Sequence, residues 1–182
     1  MRELIGIVVS ILGKNKYVII GGVAVQAWGR PRLTGDVDII IAIPQDKIDD
    51  IVSRFLSNGF SIPKDVGARL RRGLAVKLKH VEGSVDLRLV SYLIDTQALR
   101  RAKSFTIYGS HIRVASKEDI IVYKLARFDN RDKSDIETIL LRQLVLDFKY
   151  IQYTTEHLAI EYHKPQILDN LVEIMTWKRR SK

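Results

Sequence analysis

Two short apolar runs near the start of the chain constrain its fold more than any other feature. Residues 16–20 read KYVII and run directly into Gly21-Gly22, while residues 36–43 read DVDIIIAI and begin with two acids. Their length and β-branched composition predict two buried strands. Residues 21–29, opened by the two glycines, predict a short helix between the strands. The chain therefore starts as a strand–helix–strand unit with acids at the head of its second strand.

The next part of the chain continues this mixed pattern. Residues 44–60 carry apolar residues at helical spacing and end at an Asn-Gly stop. Residues 68–81 and 84–90 alternate apolar and polar side chains around Glu82-Gly83, which predicts a β-hairpin. A helix within 92–104 and a shorter hairpin turning at Gly109 complete the pattern.

From Ser116 onward only helices are predicted. Ser116 precedes two acids and a periodic apolar run, which is typical of a helix N-terminus. Ser134 and Glu137 have capping-box spacing, and Pro165 marks the start of a last helix. The predicted fold class is therefore α/β (α+β), with a mixed β-sheet flanked by helices in 1–115 and a C-terminal helical region in 116–182.

Composition limits the chemistry and the partners. The chain of 182 residues has no cysteine, which excludes disulfides and cysteine-ligated zinc. Its formal net charge of +9 favours a polyanionic or phosphate-rich partner, although basic charge can also serve solubility alone. Its apolar runs are too short to span a bilayer, and its start lacks a signal-peptide cleavage pattern. We expect a cytoplasmic protein without a membrane partner.

The acids in the second strand suggest a metal site. Side chains alternate along a strand, so Asp36 and Asp38 lie on one face, where their charges repel unless a cation lies between them. Asp86 is a third acid, isolated on the predicted hairpin. If its strand pairs beside that of Asp38, three carboxylates converge, and such oxygen ligands suit Mg²⁺ or Mn²⁺.

The double glycine is consistent with a phosphate site beside these acids. A strand that turns directly into a helix leaves backbone N–H groups uncovered, and glycine lets a phosphate approach them closely. Each motif alone is common in tight turns and at strand starts. We base the functional interpretation on their combination, with Gly22 shortly before Asp36 and Asp86 downstream.

These motifs resemble those of the DNA polymerase β-like nucleotidyltransferase superfamily, which has Gly-Gly or Gly-Ser, a short helix, and Asp-x-Asp at the head of a strand. More narrowly, GGVAVQAWGRPRLTGDVDI (21–39) is similar to the abortive-infection (AbiEii-like) nucleotidyltransferase toxins. The similarity continues in VASKEDIIVYKLARFDNRDKSDIETIL (114–140), so it covers about residues 17–140. A nucleotidyltransferase-type sheet is the fold that this resemblance implies.

The resemblance also implies roles for individual residues. The acids Asp36, Asp38 and Asp86 would be catalytic and would bind metal, with Asp86 deprotonating the acceptor hydroxyl. The implied nucleotide-binding residues are Gly21, Gly22, Arg32, Thr34, Lys124, Arg131 and Asp135. Lys124 is equally consistent with a solvated helix residue, and Asp135 with an acid stabilised by the helix dipole.

The leading hypothesis is an enzyme that transfers a nucleoside monophosphate from an NTP such as ATP, with Mg²⁺ or Mn²⁺, to a hydroxyl group. The acceptor is left open between tRNA or other RNA, a partner protein and a small molecule, as are a toxin–antitoxin role and a homo-oligomer. Basic residues of the 68–80 segment, residues 99–103 and the tail 177–182 suggest an RNA track. The alternatives are a catalytically inactive RNA-binding or antitoxin-type module and, less favoured, a metal-dependent glycosyltransferase.

Overall fold

A mixed six-stranded sheet forms the centre of the computed structural model, which describes residues 1–180 and the side chains of residues 1–177. The strands are β1 (Lys16–Ile20), β2 (Asp36–Ala42), β3 (Val76–His80), β4 (Gly83–Leu89), β5 (Lys103–Ile107) and β6 (Ser110–Val114). Their spatial order is β3-β4-β2-β1-β6-β5. The β2–β4 and β1–β6 pairs are parallel, and the other neighbouring pairs are antiparallel.

Helices flank this sheet and follow it. They are α1 (Arg2–Leu12), α2 (Gly21–Trp28), α3 (Ile48–Ser57), α4 (Val66–Arg71), α5 (Leu93–Arg101), α6 (Lys117–Leu125), α7 (Asn130–Arg142), α8 (Phe148–Glu161) and α9 (Gln166–Arg180). The predicted fold class, a mixed sheet flanked by helices, is confirmed. Within residues 1–180, none of these helices has both the length and the apolar character needed to cross a membrane.

The central strand β2 is apolar because both of its faces are covered. Ile39, Ile40 and Ile41 are each at most 1% exposed, although successive side chains point to opposite faces of the sheet. A strand buried on both faces is a continuous apolar run rather than an alternating one. The acids at its start therefore belong to a rigid, fully packed strand.

Helix α6 joins the C-terminal helices to the sheet. Ser116 caps it as predicted, accepting a hydrogen bond from the Asp119 backbone N–H while the Asp119 carboxylate accepts one from the Ser116 backbone N–H. Its residues Ile120 and Ile121 are buried in a hydrophobic cluster that draws residues from both sides of position 115. The division into domains at that position remains a prediction.

One predicted strand segment is a helix instead. Residues 66–71 form α4, because Val66 and Leu70, four residues apart, bury one helix face in the core beside β3 and β4. The predicted strand placement of Arg69 and Arg71 is therefore wrong. Arg71 instead pairs with Asp49 of α3 at 2.7 Å.

The start of α7 also differs from the prediction. The helix begins at Asn130, capped by Asp129, whose carboxylate accepts a hydrogen bond from the Asp132 backbone N–H. Ser134 therefore lies inside the helix and does not cap it. Aspartate is as good an N-cap as serine, and Asp129 lies five residues before Ser134.

A buried carboxylate fixes the end of β4 to the helices around it. Asp95 is fully buried and accepts hydrogen bonds from Arg88 at 2.6 Å, from the Tyr123 hydroxyl at 2.8 Å, and from two backbone N–H groups that follow β4. The Arg88 side chain is itself only 13% exposed. Both oxygens of the Asp95 carboxylate have hydrogen-bond partners, which offsets the cost of burying the ion pair.

We expect Asp95→Asn to lower the free energy of unfolding by about 3–5 kcal/mol, because it leaves the Arg88 guanidinium buried without its carboxylate. Urea denaturation would measure this loss. The matched control is Asp49→Asn, which removes the Arg71 pair on the surface, where the aspartate side chain is 71% exposed. Its effect should be within about 1 kcal/mol. Equal losses in the two variants would contradict the assignment of Asp95 as a buried anchor.

Candidate active site

The strand register brings the three predicted acids to one end of the sheet. In the parallel β2–β4 ladder Asp38 is directly opposite Asp86, and Asp36 is opposite Ser84. Residues two apart on a strand share a face, so all three carboxylates lie on the same side of the sheet. The three carboxylates therefore converge, as expected if the strand of Asp86 pairs beside that of Asp38.

The two glycines make room for this arrangement. Gly21 has a φ of +64°, and a Cβ at this position would lie 1.9 Å from Oδ2 of Asp38. A Cβ on Gly22 would lie 2.8 Å from the Thr34 hydroxyl oxygen. The Gly22 backbone N–H also donates a hydrogen bond to Asp38. The strand-to-helix turn thus needs glycine to bring an acid and a loop against the start of α2.

The three acids do not share one electrostatic environment. Burial raises the pKa of Asp38 to about 6, and the negative charges of Asp86 and Asp36 act in the same direction. A hydrogen bond from the Ser84 hydroxyl lowers the pKa of Asp36, and Lys77 acts with it against the opposing effect of burial. Negative charge at this end of the sheet is therefore compensated for Asp36 and poorly compensated for Asp38.

Lys77 is a member of this site that the sequence analysis placed only in a basic patch. It lies on β3 opposite Asp86, and its ammonium Nζ is 3.0 Å from Oδ2 of Asp86 and 3.1 Å from Oδ1 of Asp36. The hairpin turn lies one residue earlier than predicted, at Val81-Glu82, so His80 pairs with Gly83 and Lys77 with Asp86. The predicted turn at Glu82-Gly83 would have paired Lys79 with Asp86 instead.

The acids are suitable ligands for a divalent metal ion, although the described residues do not form a complete coordination site. Within the described part of the chain, no three or more His, Cys, Asp or Glu side chains are arranged to hold a metal ion. However, the donors here are carboxylate oxygens, which suit Mg²⁺ and Mn²⁺, and two of them already bind a cationic ammonium group. The residues fit such an ion, and its coordination remains a prediction.

A second cluster fastens the loop before β2 to α7. Arg32 binds both oxygens of Asp135 at 2.8 Å, and the Lys124 ammonium lies 2.6 Å from Asp135 and 2.9 Å from Asp132. The Lys124 side chain is only 7% exposed, so its interpretation as a solvated helix residue is wrong. Burial alone would raise the pKa of Asp135, but hydrogen bonds from Arg32 and Lys124 prevail and lower it.

Thr34 and Arg131 hold the part of the same loop that lies next to β2. The Thr34 hydroxyl donates a hydrogen bond to the Asp36 carbonyl oxygen at 3.2 Å, and Arg131 donates one to the Leu33 carbonyl oxygen at 3.2 Å. These contacts bring Thr34 beside the acids and Arg131 to the rim of the site. The loop is therefore held over the space between the sheet and α7.

A cleft of about 350 Å³ lies between the acids and the C-terminal helices. All the predicted site residues line it except Asp135, which lies behind Arg32 and Lys124. Several other residues that were not predicted also line the cleft: Arg88, Ile120, Tyr123, Arg127, Asp132 and Tyr162. A cleft of similar size, about 340 Å³, opens at the other end of β2, but no acid lines it.

Solved structures of nucleotidyltransferases share this fold. The antibiotic-resistance factor ANT(2'')-Ia is 15% identical, with a TM-score of 0.62 over 91% of this chain and 94% of that one. An antigenic nucleotidyltransferase-like protein from Paracoccidioides brasiliensis is 21% identical, with a TM-score of 0.56 over 93% and 91% of the two chains. The lincosamide antibiotic adenylyltransferase LnuA, solved with lincomycin bound, is 16% identical, with a TM-score of 0.57 over 76% and 96%.

The sequence itself identifies the family. No curated protein matches the chain closely enough to count. A family described as nucleotidyltransferase of unknown function, DUF6036, matches residues 3–181. This match and the shared fold support the resemblance to the nucleotidyltransferase superfamily, and they do not extend to the AbiEii-like group. The chain belongs to the DUF6036 family of nucleotidyltransferases.

Proposed function

We propose that this protein is a metal-dependent nucleotidyltransferase that transfers a nucleoside monophosphate from an NTP to a hydroxyl group. The observation that carries the proposal is the cross-strand pair Asp38–Asp86, with Asp36 on the same face and the Gly21-Gly22 turn against Asp38. Family membership and fold supply the reaction class. The acids would bind the metal ion, and the adjoining cations would bind the triphosphate.

The acids Asp36, Asp38 and Asp86 would hold one or two Mg²⁺ or Mn²⁺ ions, and a bound ion would supply positive charge to the reacting phosphate and the leaving group. Asp86 would accept the proton of the acceptor hydroxyl, as the superfamily resemblance implies. The hydroxyl oxygen then bonds to the α-phosphorus. The bond from that phosphorus to the oxygen bridging the β-phosphorus breaks, and pyrophosphate leaves with the electron pair.

The cationic side of the cleft would bind the triphosphate. Arg127 and Arg131 line the cleft, and the Arg127 side chain is 67% exposed despite its contacts with Asp132. Guanidinium groups in this position can reach phosphate oxygens without breaking the buried Lys124–Asp135 pair. Arg32 and Lys124 would act mainly by holding the loop and the helix in place. The positive end of α2 adds a favourable field for the same anion.

The solved structures favour a small-molecule acceptor and an ATP donor. LnuA is an adenylyltransferase for lincosamide antibiotics, and ANT(2'')-Ia has been solved with adenylyl-2''-tobramycin. The second of these has nearly the same extent as this chain. RNA or protein as acceptor, in a toxin–antitoxin setting, rests instead on the AbiEii-like resemblance and on the net charge of +9.

The predicted RNA track receives limited support. Arg71 is paired with Asp49, Arg101 with Glu118, and Lys77 with two acids of the site, so these side chains are engaged within the protein. The side chains of the basic tail from Lys178 onward lie outside the described residues. We therefore rank RNA below a small molecule as the acceptor.

One observation favours a second candidate function. Lys77 partly neutralises the acids without any metal, as a catalytically inactive module for RNA or protein binding would require. Calorimetry separates the two functions, because the enzyme should bind ATP in a Mg²⁺-dependent way. An inactive module should show no such binding while retaining affinity for RNA or for a protein partner.

We expect Asp36→Asn and Asp38→Asn each to lower transfer from α-³²P-labelled ATP by a factor of about 100 or more, because each removes a charge that would hold the metal. The assay measures label incorporated into hydroxyl acceptors, including aminoglycosides, lincosamides and tRNA. γ-labelled ATP should give no incorporation. Asp49→Asn, an exposed acid far from the cleft, is the matched control. Undiminished labelling by the Asp36/Asp38 double variant would refute the proposal.

We expect Gly21→Ala to abolish Mg²⁺-dependent ATP binding and to lower the melting temperature, because the new methyl group would overlap Asp38 and the backbone has a positive φ. The matched control is Gly35→Ala in the loop before the acids, where a Cβ would contact nothing within 4 Å. Calorimetry and thermal denaturation would compare the two variants. Wild-type ATP binding by Gly21→Ala would show that the turn does not position the acid.

A further inference from the structure

Lys77 holds the position between two acids that a metal would also bind. Its ammonium Nζ is 3.0 Å from Asp86 on the adjacent strand β4 and 3.1 Å from Asp36 on β2, the next strand beyond it. Ser84, the residue opposite Asp36, lies 3.3 Å from the same ammonium and donates its hydroxyl to Asp36. One cation thus links the first and third acids, while Asp38 remains outside its reach.

The ammonium of Lys77 lies between two carboxylates of the site. Like carboxylates side by side repel, and a cation between them relieves that repulsion. The ammonium therefore stabilises the two acids in this arrangement.

The fold lets this ammonium leave. The side chain of Lys77 is 45% exposed, and it projects from β3, which is the last strand at its edge of the sheet. Among residues 1–177, the Lys77 ammonium has hydrogen bonds or ion pairs with Asp36, Asp86 and Ser84 alone, so no other such interaction would have to break. A lysine side chain has four rotatable bonds beyond Cα, so a small rotation carries the charge away while the strands stay in place.

We propose that Lys77 is an internal counter-cation that occupies the acidic site in the metal-free protein and is displaced when a divalent metal binds. This inference rests on the proposed function, since it takes Asp36, Asp38 and Asp86 as the metal-binding acids. Lys77 weakens metal binding in the absence of nucleotide, because the metal must first break two ion pairs. It is a positioning residue for the acids, and it contributes no proton to the reaction.

A bound nucleotide weakens the competition between the Lys77 ammonium and the metal ion for the acids. An NTP brings negative phosphate oxygens to the cleft, and these offer the displaced ammonium a new partner near its original position. Metal and nucleotide therefore bind with positive coupling, and by linkage each raises the affinity of the other by the same factor. Lys77 thus favours the joint binding of metal and nucleotide over the binding of metal alone.

The test compares Mn²⁺ binding, followed by electron paramagnetic resonance, in wild type, Lys77→Met and Lys79→Met. Lys79 is the matched control, because it is exposed on the same face of β3 and forms no ion pair among residues 1–177. Without nucleotide, Lys77→Met should bind Mn²⁺ about threefold to tenfold more tightly than wild type, in line with the removal of one nearby positive charge. Lys79→Met should bind like wild type.

Thermal denaturation provides a second readout. In EDTA, Lys77→Met should melt about 2 °C or more below wild type, because its acids lose their counter-cation, and Mn²⁺ should remove this difference. With a non-hydrolysable ATP analogue present, wild type and Lys77→Met should differ less in Mn²⁺ affinity than without it. Lys77→Arg, which keeps the charge, should resemble wild type in both measurements.

The outcomes separate this inference from the proposed function. Equal Mn²⁺ affinities for wild type and Lys77→Met, with binding abolished by Asp38→Asn, would overturn the role of Lys77 and leave the metal site intact. An absence of Mn²⁺ binding in every variant, with or without the ATP analogue, would overturn the proposed function and this inference together. Tighter binding by both Lys77→Met and Lys79→Met would reduce the effect to net charge and would also overturn the inference.

Discussion

The arrangement of the site depends on one close approach, between the carboxylate of Asp38 and the backbone of Gly21. No side chain fits between them, since even a Cβ would overlap the acid. β1 must therefore be followed directly by glycine where it meets β2, and this glycine begins α2. The same turn aims the Gly22 N–H at Asp38. A rigid strand pair, apolar on both faces, keeps this contact in register, which explains why acids stand at the head of such an apolar strand.

Two charge networks meet at this contact, and they have opposite signs. The first contains Asp36, Asp38 and Asp86 with Lys77 as its cation, so negative charge is in excess. The second contains Arg32, Lys124, Arg127 and Arg131 with Asp129, Asp132 and Asp135, so positive charge is in excess. A triphosphate with its metal has the complementary pattern, a cation at one end and anionic oxygens along its length. The cleft between the networks therefore matches the charge distribution of the proposed substrate.

The sequence predicted local elements well and distant contacts poorly. Apolar runs, the double glycine and the Ser116 cap were sufficient to locate β1, β2, α2 and α6, because their signals are contained in a few consecutive residues. The α4 helix was missed because Val66 and Leu70 are buried by tertiary contacts that no short pattern reveals. Arg32 and Asp135 are 103 residues apart in the chain, so only a resemblance to a family could bring them into one site before the structure did. Lys77 was missed because the turn lies one residue earlier than predicted, and a slip of one residue changes which lysine is opposite Asp86.

Lys124 shows how the two networks act as one. It is buried, it bridges Asp132 and Asp135, and its charge also lowers the pKa of Asp38 against the effects of burial and of the other acids. A lysine in this position cannot leave as Lys77 can, because it is itself buried and its removal would take one cation from each of two buried carboxylates. The site thus combines a fixed cation, which holds the helices and the acid in relation to each other, with an exposed one. Only the exposed cation can yield its place to a metal without cost to the fold.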